Sequence, residues 1–475
     1  MKKHYETHVE DTDKLISVAG PVLDYKSWYE QYRKLMEEQA QRKYGLYTPT
    51  SEGDDDDFPS ITGMIARYSA LGLTNEQMAA NPVWVDKTGN GHDLQMKNFA
   101  WKEGSGISDI YPGFILGDGV DDFAVTEKEL NFEDTYTVYT AFIPFQNNPT
   151  RNMILCGADS KKTFSMQYSS LVYVSFIAGN NYYINADFVN GLNLFACKRN
   201  GNNIYIKNLL TNKVVTGTCG DWVENAGLYY LWKNATYASF ARAAIAGQTI
   251  CNGYFSTDED DEKVLDWYKK QYPWLFPDQA WTVTGKTNED EDRATIANIT
   301  GNGNNLVLSN FGFIEGSGYN KEGEYAGYLV TDGVDDKVQS SSFTMNEDWT
   351  IVGDWELLSN VQINCGIVKS QNVYLYNTAK GLLISINNPR SLQSFGTKSL
   401  HAICSDGRLY DRNWVEYEYT VDQNFEIVES SLNIGFNLNN YTQIAFKNLG
   451  IYNDQILSKD DCIKAYNYLQ TLKAK

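Results

Sequence analysis

The stretch of sequence that decides the fold occurs twice. Residues 88–106 read TGNGHDLQMKNFAWKEGSG and residues 300–318 read TGNGNNLVLSNFGFIEGSG, with 11 of 19 positions identical. The similarity continues upstream, where GLTNE at 72–76 matches GKTNE at 285–289, and downstream, where DGVDD occurs at 118–122 and 332–336. The copies lie 212 to 214 residues apart. A repeat of this length indicates a duplicated module rather than a solenoid, whose repeats span about 20 to 50 residues.

Each copy alternates turn signals with short β-rich runs. Asn and Gly in the TGNG motif tolerate positive φ, so a tight turn is predicted before a strand that ends in an aromatic residue. Further strands are predicted beside the DGVDD turns and over 136–143 and 349–355. A helix with a serine cap and an acidic first turn closes each copy, over 256–268 and 458–469. Short strands separated by regular turns are typical of a β-sandwich.

We expect three segments in this chain of 475 residues. They are an N-terminal helix and acidic linker over 1–60, a first module over 61–277 and a second module over 278–475. The abundance of aromatic residues, 14% of the chain with 33 Tyr, supports strands, because Tyr, Trp, Thr and Val suit a pleated, half-buried surface.

The first 60 residues belong to neither copy. Apolar side chains at helical spacing predict one amphipathic helix over residues 25–44, and they include Tyr25, Trp28, Tyr32 and Leu35. The acidic run at 51–59 predicts an extended linker, because like charges repel one another. An amphipathic helix must bury its apolar stripe. We expect this helix to be a docking segment that binds a partner, in preference to packing on its own modules.

The repeated turn, the aromatic strand, the DGVDD turn and the closing helix together resemble the concanavalin A-like jelly roll of laminin-G-like modules. Tandem copies of this kind are similar to those in surface and phage structural proteins of Bacteroides-type bacteria. The resemblance implies an all-β fold, with two tandem jelly-roll sandwiches after a short N-terminal helical segment. Because that fold hosts lectins, adhesins, glycosidases and structural modules, it does not define the function.

Charge and composition exclude several classes of function. The net charge is -20, and no Lys/Arg-rich run occurs, so binding to nucleic acid or to an anionic membrane is not expected. No stretch of 18 apolar residues is present, and membrane insertion is therefore not expected either. The first residues lack the apolar segment of a signal peptide. The seven cysteines are widely spaced, without a Cys-x-x-Cys motif, which predicts reduced thiols in a protein made in a cytoplasm.

Two sequence patterns could indicate a metal or nucleotide site. The DGVDD motifs supply carboxylates that calcium can accept, but an Asp-Gly pair before a strand is also what a turn requires, and we favour the turn. Residues 280–287 read AWTVTGKT and match a permissive phosphate-binding loop. Prolines 273 and 277 precede this match, and Leu73 stands in the first copy where the second has Lys286. We therefore expect no nucleotide, metal or other cofactor.

The sequence also lacks the residue patterns of known catalytic sites, and we expect that the protein is not an enzyme. Retaining glycosidases of this fold carry Glu-x-Asp-x-x-Glu on one strand, and we find no such strand. Glu426 and Glu429 lack the central aspartate and would point to opposite faces. The four histidines are scattered, without the spacing of a zinc site or a catalytic triad.

We therefore expect a non-catalytic structural protein of a bacteriophage virion, such as a head or tail fibre or decoration protein assembled in the host cytoplasm. The lack of a signal peptide favours this location over the bacterial cell surface. The expected partners are capsid or tail subunits, host surface glycans and further copies of the chain. Aromatic side chains can stack on sugars, although most of them are expected to fill the cores. The alternatives are a bacterial carbohydrate-binding surface adhesin and a divergent glycoside hydrolase.

Overall fold

The computed structural model describes most of the chain from residue 57 onward. The described residues are 57–145, 152–156, 164–169, 173–178, 182–187, 191–221, 225–233, 240–301, 303–358, 366–369, 373–378, 381–386, 393–395, 400–418, 428–434, 436–437, 440–441 and 443–474. The predicted docking segment with Tyr25, Trp28, Tyr32 and Leu35 lies outside them. The features below belong to the unit that begins at Phe58.

Strands in the first half of this unit follow the repeated turns. They are β1 (Met64–Ser69), β2 (Val83–Trp84), β3 (Leu94–Lys97), β4 (Gly106–Ile107), β5 (Ile115–Leu116), β6 (Phe123–Thr126), β7 (Leu130–Phe132), β8 (Thr135–Pro144), β9 (Asn152–Cys156), β10 (Phe164–Ser169), β11 (Tyr173–Ala178), β12 (Tyr182–Asp187), β13 (Asn193–Asn200), β14 (Asn203–Asn208), β15 (Lys213–Thr218), β16 (Asn225–Gly227), β17 (Tyr230–Leu231) and β18 (Ala243–Asn252).

The second half repeats the same order of short strands. They are β19 (Gln279–Thr282), β20 (Thr295–Ile296), β21 (Leu306–Ser309), β22 (Gly318–Tyr319), β23 (Leu329–Val330), β24 (Lys337–Met345), β25 (Trp349–Leu357), β26 (Gly366–Lys369), β27 (Val373–Thr378), β28 (Gly381–Ile386), β29 (Gln393–Phe395), β30 (Leu400–Cys404), β31 (Arg408–Asp411), β32 (Glu416–Glu418), β33 (Val428–Ile434), β34 (Phe436–Asn437), β35 (Asn440–Tyr441) and β36 (Ile444–Asn453).

Helices are few in the described residues. They are α1 (Asn75–Ala80), α2 (Asp258–Gln271) and α3 (Lys459–Thr471), with a 3-10 turn at Pro273–Leu275. None of them is long and apolar enough to cross a membrane. Both closing helices were predicted, but the cap of α2 is Thr257 and not Ser256. Thr257 Oγ1 accepts the Asp260 N–H at 3.2 Å, whereas the Ser256 hydroxyl donates to Asp261 at 3.2 Å.

The sheets confirm the predicted all-β sandwich fold, and every strand pair among the described residues is antiparallel. In module 1 the central sheet has the order β15-β14-β13-β8-β18-β5-β4 with β1 on β18, and the outer sheet has the order β12-β11-β10-β9-β17-β6-β3-β2. In module 2 the central sheet has the order β22-β23-β36-β25-β30-β31-β32 with β19 on β36. Its outer strands form the sheets β20-β21-β24-β33 and β26-β27-β28-β29. The long strands β8 and β25 therefore hold equivalent places.

Each central sheet is buried on both faces. On β8, Val138 and Phe142 belong to the core between the two sheets of module 1, whereas Tyr139, Ala141 and Ile143 belong to a second apolar cluster on the opposite face. This double burial explains why residues 135–144 show no polar alternation. The second cluster also contains apolar residues of module 2 and of both closing helices, so a shared middle layer joins the modules.

Direct contacts cross this middle layer. Tyr468 on α3 accepts the Leu192 backbone N–H of module 1 at 3.1 Å, and its ring lies 6.0 Å from that of Trp274. The Tyr452 hydroxyl on β36 donates to the Trp274 carbonyl at 2.9 Å. Residues 58–475 accordingly form one compact unit rather than two separate bodies.

The repeated sequence forms the same hydrogen bonds in both modules. Asn75 accepts the Ile107 N–H at 2.7 Å and donates to the Ile107 carbonyl at 2.9 Å. Asn288 makes the same two bonds to Tyr319, at 2.8 and 3.0 Å. A Cβ atom on the preceding residue, glycine in both modules, would collide with the Asn carbonyl oxygen. The repeat therefore specifies this turn through an asparagine that forms the two hydrogen bonds and a glycine that leaves room for its side chain.

The closing helices are anchored to their central sheets by different chemistry. Lys198 lies opposite Thr137 in module 1, and Cys404 lies opposite Thr350 in module 2, so the two positions are equivalent. The Lys198 ammonium contacts Asp261 of α2 at 2.8 Å, and both side chains are buried. The helix position equivalent to Asp261, four residues after the cap, is Cys462 in α3.

Candidate functional site

The DGVDD carboxylates cap their own turns. Asp118 Oδ1 accepts the N–H groups of Val120 at 2.7 Å and Asp121 at 3.3 Å, and Asp122 Oδ2 accepts the Asp118 N–H at 2.9 Å. These hydrogen bonds are those of a turn, which is the structure that the sequence predicts for this motif. Burial, together with the neighbouring carboxylates, raises the pKa of Asp122 to about 6.

The second copy of this turn is nearly identical. Asp332 Oδ1 accepts the N–H groups of Val334 at 2.8 Å and Asp335 at 3.3 Å, and Asp336 accepts the Asp332 N–H at 2.7 Å. The pKa of Asp336 is also raised to about 6 by burial. In each module the three carboxylates lie within 4.8 Å of one another. The two triads thus belong to the part of the molecule that duplication left unchanged.

The permissive phosphate-loop match does not have the geometry of such a loop. Its strand, β19, pairs antiparallel with β36, and the residues that follow form turns instead of opening a helix. The Lys286 ammonium is paired with Asp292 at 2.6 Å, and its side chain is only 4% exposed. A phosphate-binding loop follows a parallel strand and opens a helix. The match therefore reflects the similarity of the two modules.

A cluster of aromatic and polar side chains lies on the helix-covered face of the central sheet in module 2. We call it the Trp414 cluster, and it consists of Tyr328, Asp354, His401, Trp414, Tyr466 and Gln470. Its members come from the residue before β23, from β25, from β30, from the β31–β32 turn and from α3. All six side chains are half-buried. Tyr466 and Gln470 share a helix face because they are four residues apart.

Asp354 is the hydrogen-bonding centre of the cluster. Its Oδ2 atom accepts the Tyr328 hydroxyl at 2.9 Å and the Gln470 amide at 2.8 Å. Burial first, and the negative charge of Asp354 second, raise the pKa of Tyr328 and Tyr466 well above the ordinary tyrosine value. Both phenols therefore keep their protons as donors at neutral pH.

The rings of the cluster pack closely around His401. The imidazole stacks on Tyr466 with a centroid distance of 4.1 Å, and the Trp414 indole meets the imidazole edge-on at 5.4 Å. His401 Nδ1 is buried and has no hydrogen-bond partner within the described part of the chain. Burial lowers the pKa of His401. The neutral imidazole is consequently favoured, and its contribution to the cluster is ring packing against Tyr466 and Trp414.

Trp414 has an unusual backbone conformation. Its φ is 59°, in the left-handed region that bulky residues rarely adopt. Asp411 holds the turn, because its Oδ1 atom accepts the N–H groups of Asn413 at 2.8 Å and Val415 at 2.9 Å. In the equivalent β14–β15 hairpin the left-handed residue is Asn212, with φ 54°, a residue type that tolerates this conformation. Trp101, Trp232 and Phe313 also have left-handed φ values, between 51° and 58°.

Two charged side chains border the cluster. Glu356 and Arg412 approach to 3.7 Å, with side chains 26% and 61% exposed. Asp354 and Glu356 lie on the same face of β25, because the intervening Trp355 points into the core. The carboxylates of Asp354 and Glu356 were not predicted as a site, because they do not follow the Glu-x-Asp-x-x-Glu pattern of retaining glycosidases. The signal in the sequence is their spacing, because two residues that are two positions apart on a strand point to the same face.

Comparison with known proteins assigns no family. No protein-family model matches the chain, and no curated protein matches it. Among solved structures, Trypanosoma rangeli sialidase in complex with sialic acid aligns with 10% identity and a TM-score of 0.34, over 45% of this chain and 34% of the sialidase. This chain thus spans about a third of the sialidase's length. Two HCR/D mutants align over 83% of this chain and 98% of theirs, with 8% and 9% identity and TM-scores of 0.36 and 0.37. Because these scores are low, the fold assignment rests on the sheets themselves.

Proposed function

We propose that the protein is a non-catalytic component of a bacteriophage virion that contacts surface glycans through the Trp414 cluster of module 2. The observation that carries this proposal is the half-buried cluster itself, in which the Trp414 indole lies beside His401 and Tyr466. The left-handed backbone of Trp414 does not carry the proposal by itself, because Trp101 in module 1 has the same conformation.

The chemistry of the cluster suits a sugar. An aromatic face packs against the apolar face of a pyranose ring, and the hydroxyl groups need hydrogen-bond donors and acceptors around it. Asp354 and Gln470 supply such groups next to the rings. Glu356 and Arg412 are partly exposed and only loosely paired, so sugar hydroxyls can replace their contact at small cost.

Binding to a glycan panel tests this proposal. We expect the full chain to bind at least one oligosaccharide on an array of host-surface glycans, and we expect Trp414→Ala to abolish that binding. Trp414→Asn is the sharper variant, because it gives the turn the residue that module 1 uses and should leave the fold intact. Trp101→Ala is the matched control, since Trp101 in module 1 is also half-buried with a φ of 52°. Equal loss in both tryptophan variants, or a chain that binds no glycan, would refute the proposal.

The virion setting is supported by the resemblance of the tandem repeat to those of phage structural proteins. In this setting residues 1–60 dock the chain onto a capsid or tail subunit, or onto another copy, through Tyr25, Trp28, Tyr32 and Leu35. A truncated chain that begins at Phe58 should remain folded and soluble but should fail to co-purify with assembled particles. Normal incorporation of the truncated chain would show that the docking segment is not needed.

One observation supports a second candidate function, a glycoside hydrolase. Asp354 and Glu356 place two carboxylates on one face of β25, beside the aromatic rings. Glycosidases commonly use two carboxylates that flank the scissile bond. Incubation with the glycans that bind best, followed by product chromatography, decides between the two. Turnover that Glu356→Gln abolishes would establish the hydrolase, and intact glycans would support the non-catalytic proposal.

A further inference from the structure

Module 1 contains a cavity of about 380 Å³ where α2 begins. It lies between β14, β15 and the segment that leads into α2. The lining residues that matter here are Lys198, Tyr205, Lys207, Phe255, Thr257 and Asp258, and we call this cavity the Lys207 pocket. Its volume is within the range of small-molecule sites, about 300 to 1,000 Å³. It is separate from the Trp414 cluster, which belongs to module 2.

The buried side chains of the Lys207 pocket carry more positive than negative charge, and an exposed carboxylate supplies the remaining negative charge. Lys198 and Lys207 both contact Asp261, at 2.8 and 3.0 Å, and these three side chains are 5%, 10% and 2% exposed. Two ammonium groups thus face one buried carboxylate. The fourth charge is Asp258, which contacts Lys207 at 2.6 Å with a side chain that is 88% exposed. The inner part of the pocket therefore carries one net positive charge.

Asp258 is the first-turn carboxylate of α2 that can leave the pocket. Asp260 is tied by the Thr257 N–H at 2.9 Å and by the Tyr254 hydroxyl at 2.8 Å. Glu259 points to Lys263, at 2.6 Å. An ion pair with an exposed partner is worth about 1 kcal/mol at most, because water competes with it. A carboxylate from a ligand can therefore replace Asp258 on Lys207.

The walls beside the lysines are aromatic. Tyr205 and Phe255 meet edge-to-face at 5.0 Å, and both are half-buried. The Lys198 ammonium lies 5.4 Å from the Phe255 ring centroid. In module 2 the sheet register places Arg408 where module 1 has Tyr205, and Arg408 fills this space by bonding Asp406 at 2.7 Å and the Leu457 carbonyl at 3.3 Å. The pocket is thus a feature of module 1.

We propose that the Lys207 pocket binds a carboxylate-bearing sugar. The ligand carboxylate takes the place of Asp258 beside Lys207, and the sugar ring packs against Tyr205 and Phe255. In this arrangement Asp258 is an internal competitor that occupies the site when no ligand is present. The proposal does not depend on glycan binding by the Trp414 cluster.

Calorimetric titration of the full chain with glucuronate, and with glucose as the uncharged counterpart, tests the proposal. Glucuronate should bind at millimolar or lower concentration, and glucose should bind much more weakly. Asp258→Ala should tighten glucuronate binding about fivefold, because the competitor is removed. Glu259→Ala is the matched control, because it removes the same charge from a residue that does not line the pocket. It should shift the affinity by less than about twofold. Lys207→Met should abolish binding.

Three results would overturn the proposal: no binding of glucuronate, equal binding of glucose, or no difference between Asp258→Ala and Glu259→Ala. Because Asp258 is exposed, its replacement should leave the thermal unfolding of the chain nearly unchanged, and the test does not depend on Lys207→Met being folded.

Discussion

The two closing helices occupy equivalent positions in their modules, but a buried ion pair anchors one of them and buried, uncharged thiols lie at the equivalent positions of the other. In module 1, α2 is fixed by a buried ion pair between Lys198 and Asp261, to which the Tyr139 hydroxyl also donates at 2.9 Å. In module 2, the equivalent positions are the buried thiols Cys404 and Cys462, which approach the Leu457 carbonyl at 3.9 and 4.0 Å. By contrast, the repeated turns make the same bonds in both modules. The turns therefore define the scaffold, and the helix-covered faces are where the modules differ.

This comparison also locates the candidate sites. The ion pair of module 1 borders the Lys207 pocket, and the helix of module 2 supplies Tyr466 and Gln470 to the Trp414 cluster. Both sites depend on residues that the other module lacks at the equivalent position. We infer that binding functions arose where the two copies diverged, on an unchanged framework of turns.

The largest expected effect concerns the ion pair. Asp261→Ala should lower the free energy of unfolding by about 3 to 5 kcal/mol, because it leaves the buried Lys198 ammonium without its carboxylate and leaves Lys207 with only the exposed Asp258. The equivalent change in module 2, Cys462→Ala, removes only a small thiol and should cost about 1 kcal/mol. Urea unfolding monitored by circular dichroism measures both. Equal losses would show that the ion pair is not the stabilising anchor of α2.

A double variant sharpens this comparison. Lys198→Cys combined with Asp261→Cys gives module 1 the anchor of module 2, and it removes both partners of this pair together while Lys207 keeps its contact with Asp258. Replacement of a whole buried ion pair by less polar groups is often nearly neutral. The double variant should therefore be clearly more stable than Asp261→Ala alone. A loss as large as that of the single variant would contradict the equivalence of the two anchors.

The next effect concerns the shared middle layer. Tyr468→Phe keeps the ring contact with Trp274 but removes the acceptor of the buried Leu192 N–H. An unsatisfied buried donor costs about 1 to 3 kcal/mol. Because Tyr468 joins α3 to module 1, calorimetry should show a lower melting temperature for the whole unit. An unchanged melting temperature would mean that this contact does not couple the modules.

Smaller and equal effects are expected for the repeated turns. Asp118→Ala and Asp332→Ala each remove an oxygen that accepts several backbone N–H groups, and each should cost about 1 to 2 kcal/mol. The same urea measurement serves for both. Equal losses of unfolding free energy would confirm that duplication preserved the turn. Clearly different losses would show that the two turns contribute differently to stability.

The sequence predicted the parts of the structure that depend on local signals. The repeated turns, the strands around them and both closing helices follow from residues close together in the chain, such as the glycine and asparagine pairs in each copy. The shared middle layer was not predicted. The sequence around Tyr139 and Ala141 predicts a β-strand, but nothing nearby in the chain indicates what covers the face on which these two residues lie. The Trp414 cluster was missed for a similar reason, since its members are spread over more than a hundred residues.

The smallest expected effect is a pH dependence shared by both modules. The pKa of Asp122 and of Asp336 is about 6 in the folded chain, above the ordinary value of 3.8, so the folded state binds these protons more readily than the unfolded state. The stability that they contribute is fully present below about pH 4 and is lost as the pH rises through about 6. Asp122→Asn and Asp336→Asn should each remove part of this dependence, whereas Asp121→Asn, which removes only one neighbouring charge, should reduce it much less.

The most direct test of the central claim is a crystal structure of the full chain soaked with the oligosaccharide that binds best on the array. We predict that a sugar ring packs against Trp414 and Tyr466, with a hydroxyl group bonded to Asp354 or Gln470, and that the equivalent hairpin of module 1 around Asn212 is unoccupied. A sugar bound at equivalent positions in both modules, or bound neither at the Trp414 cluster nor in the Lys207 pocket, would contradict the claim that binding arose where the two copies diverged.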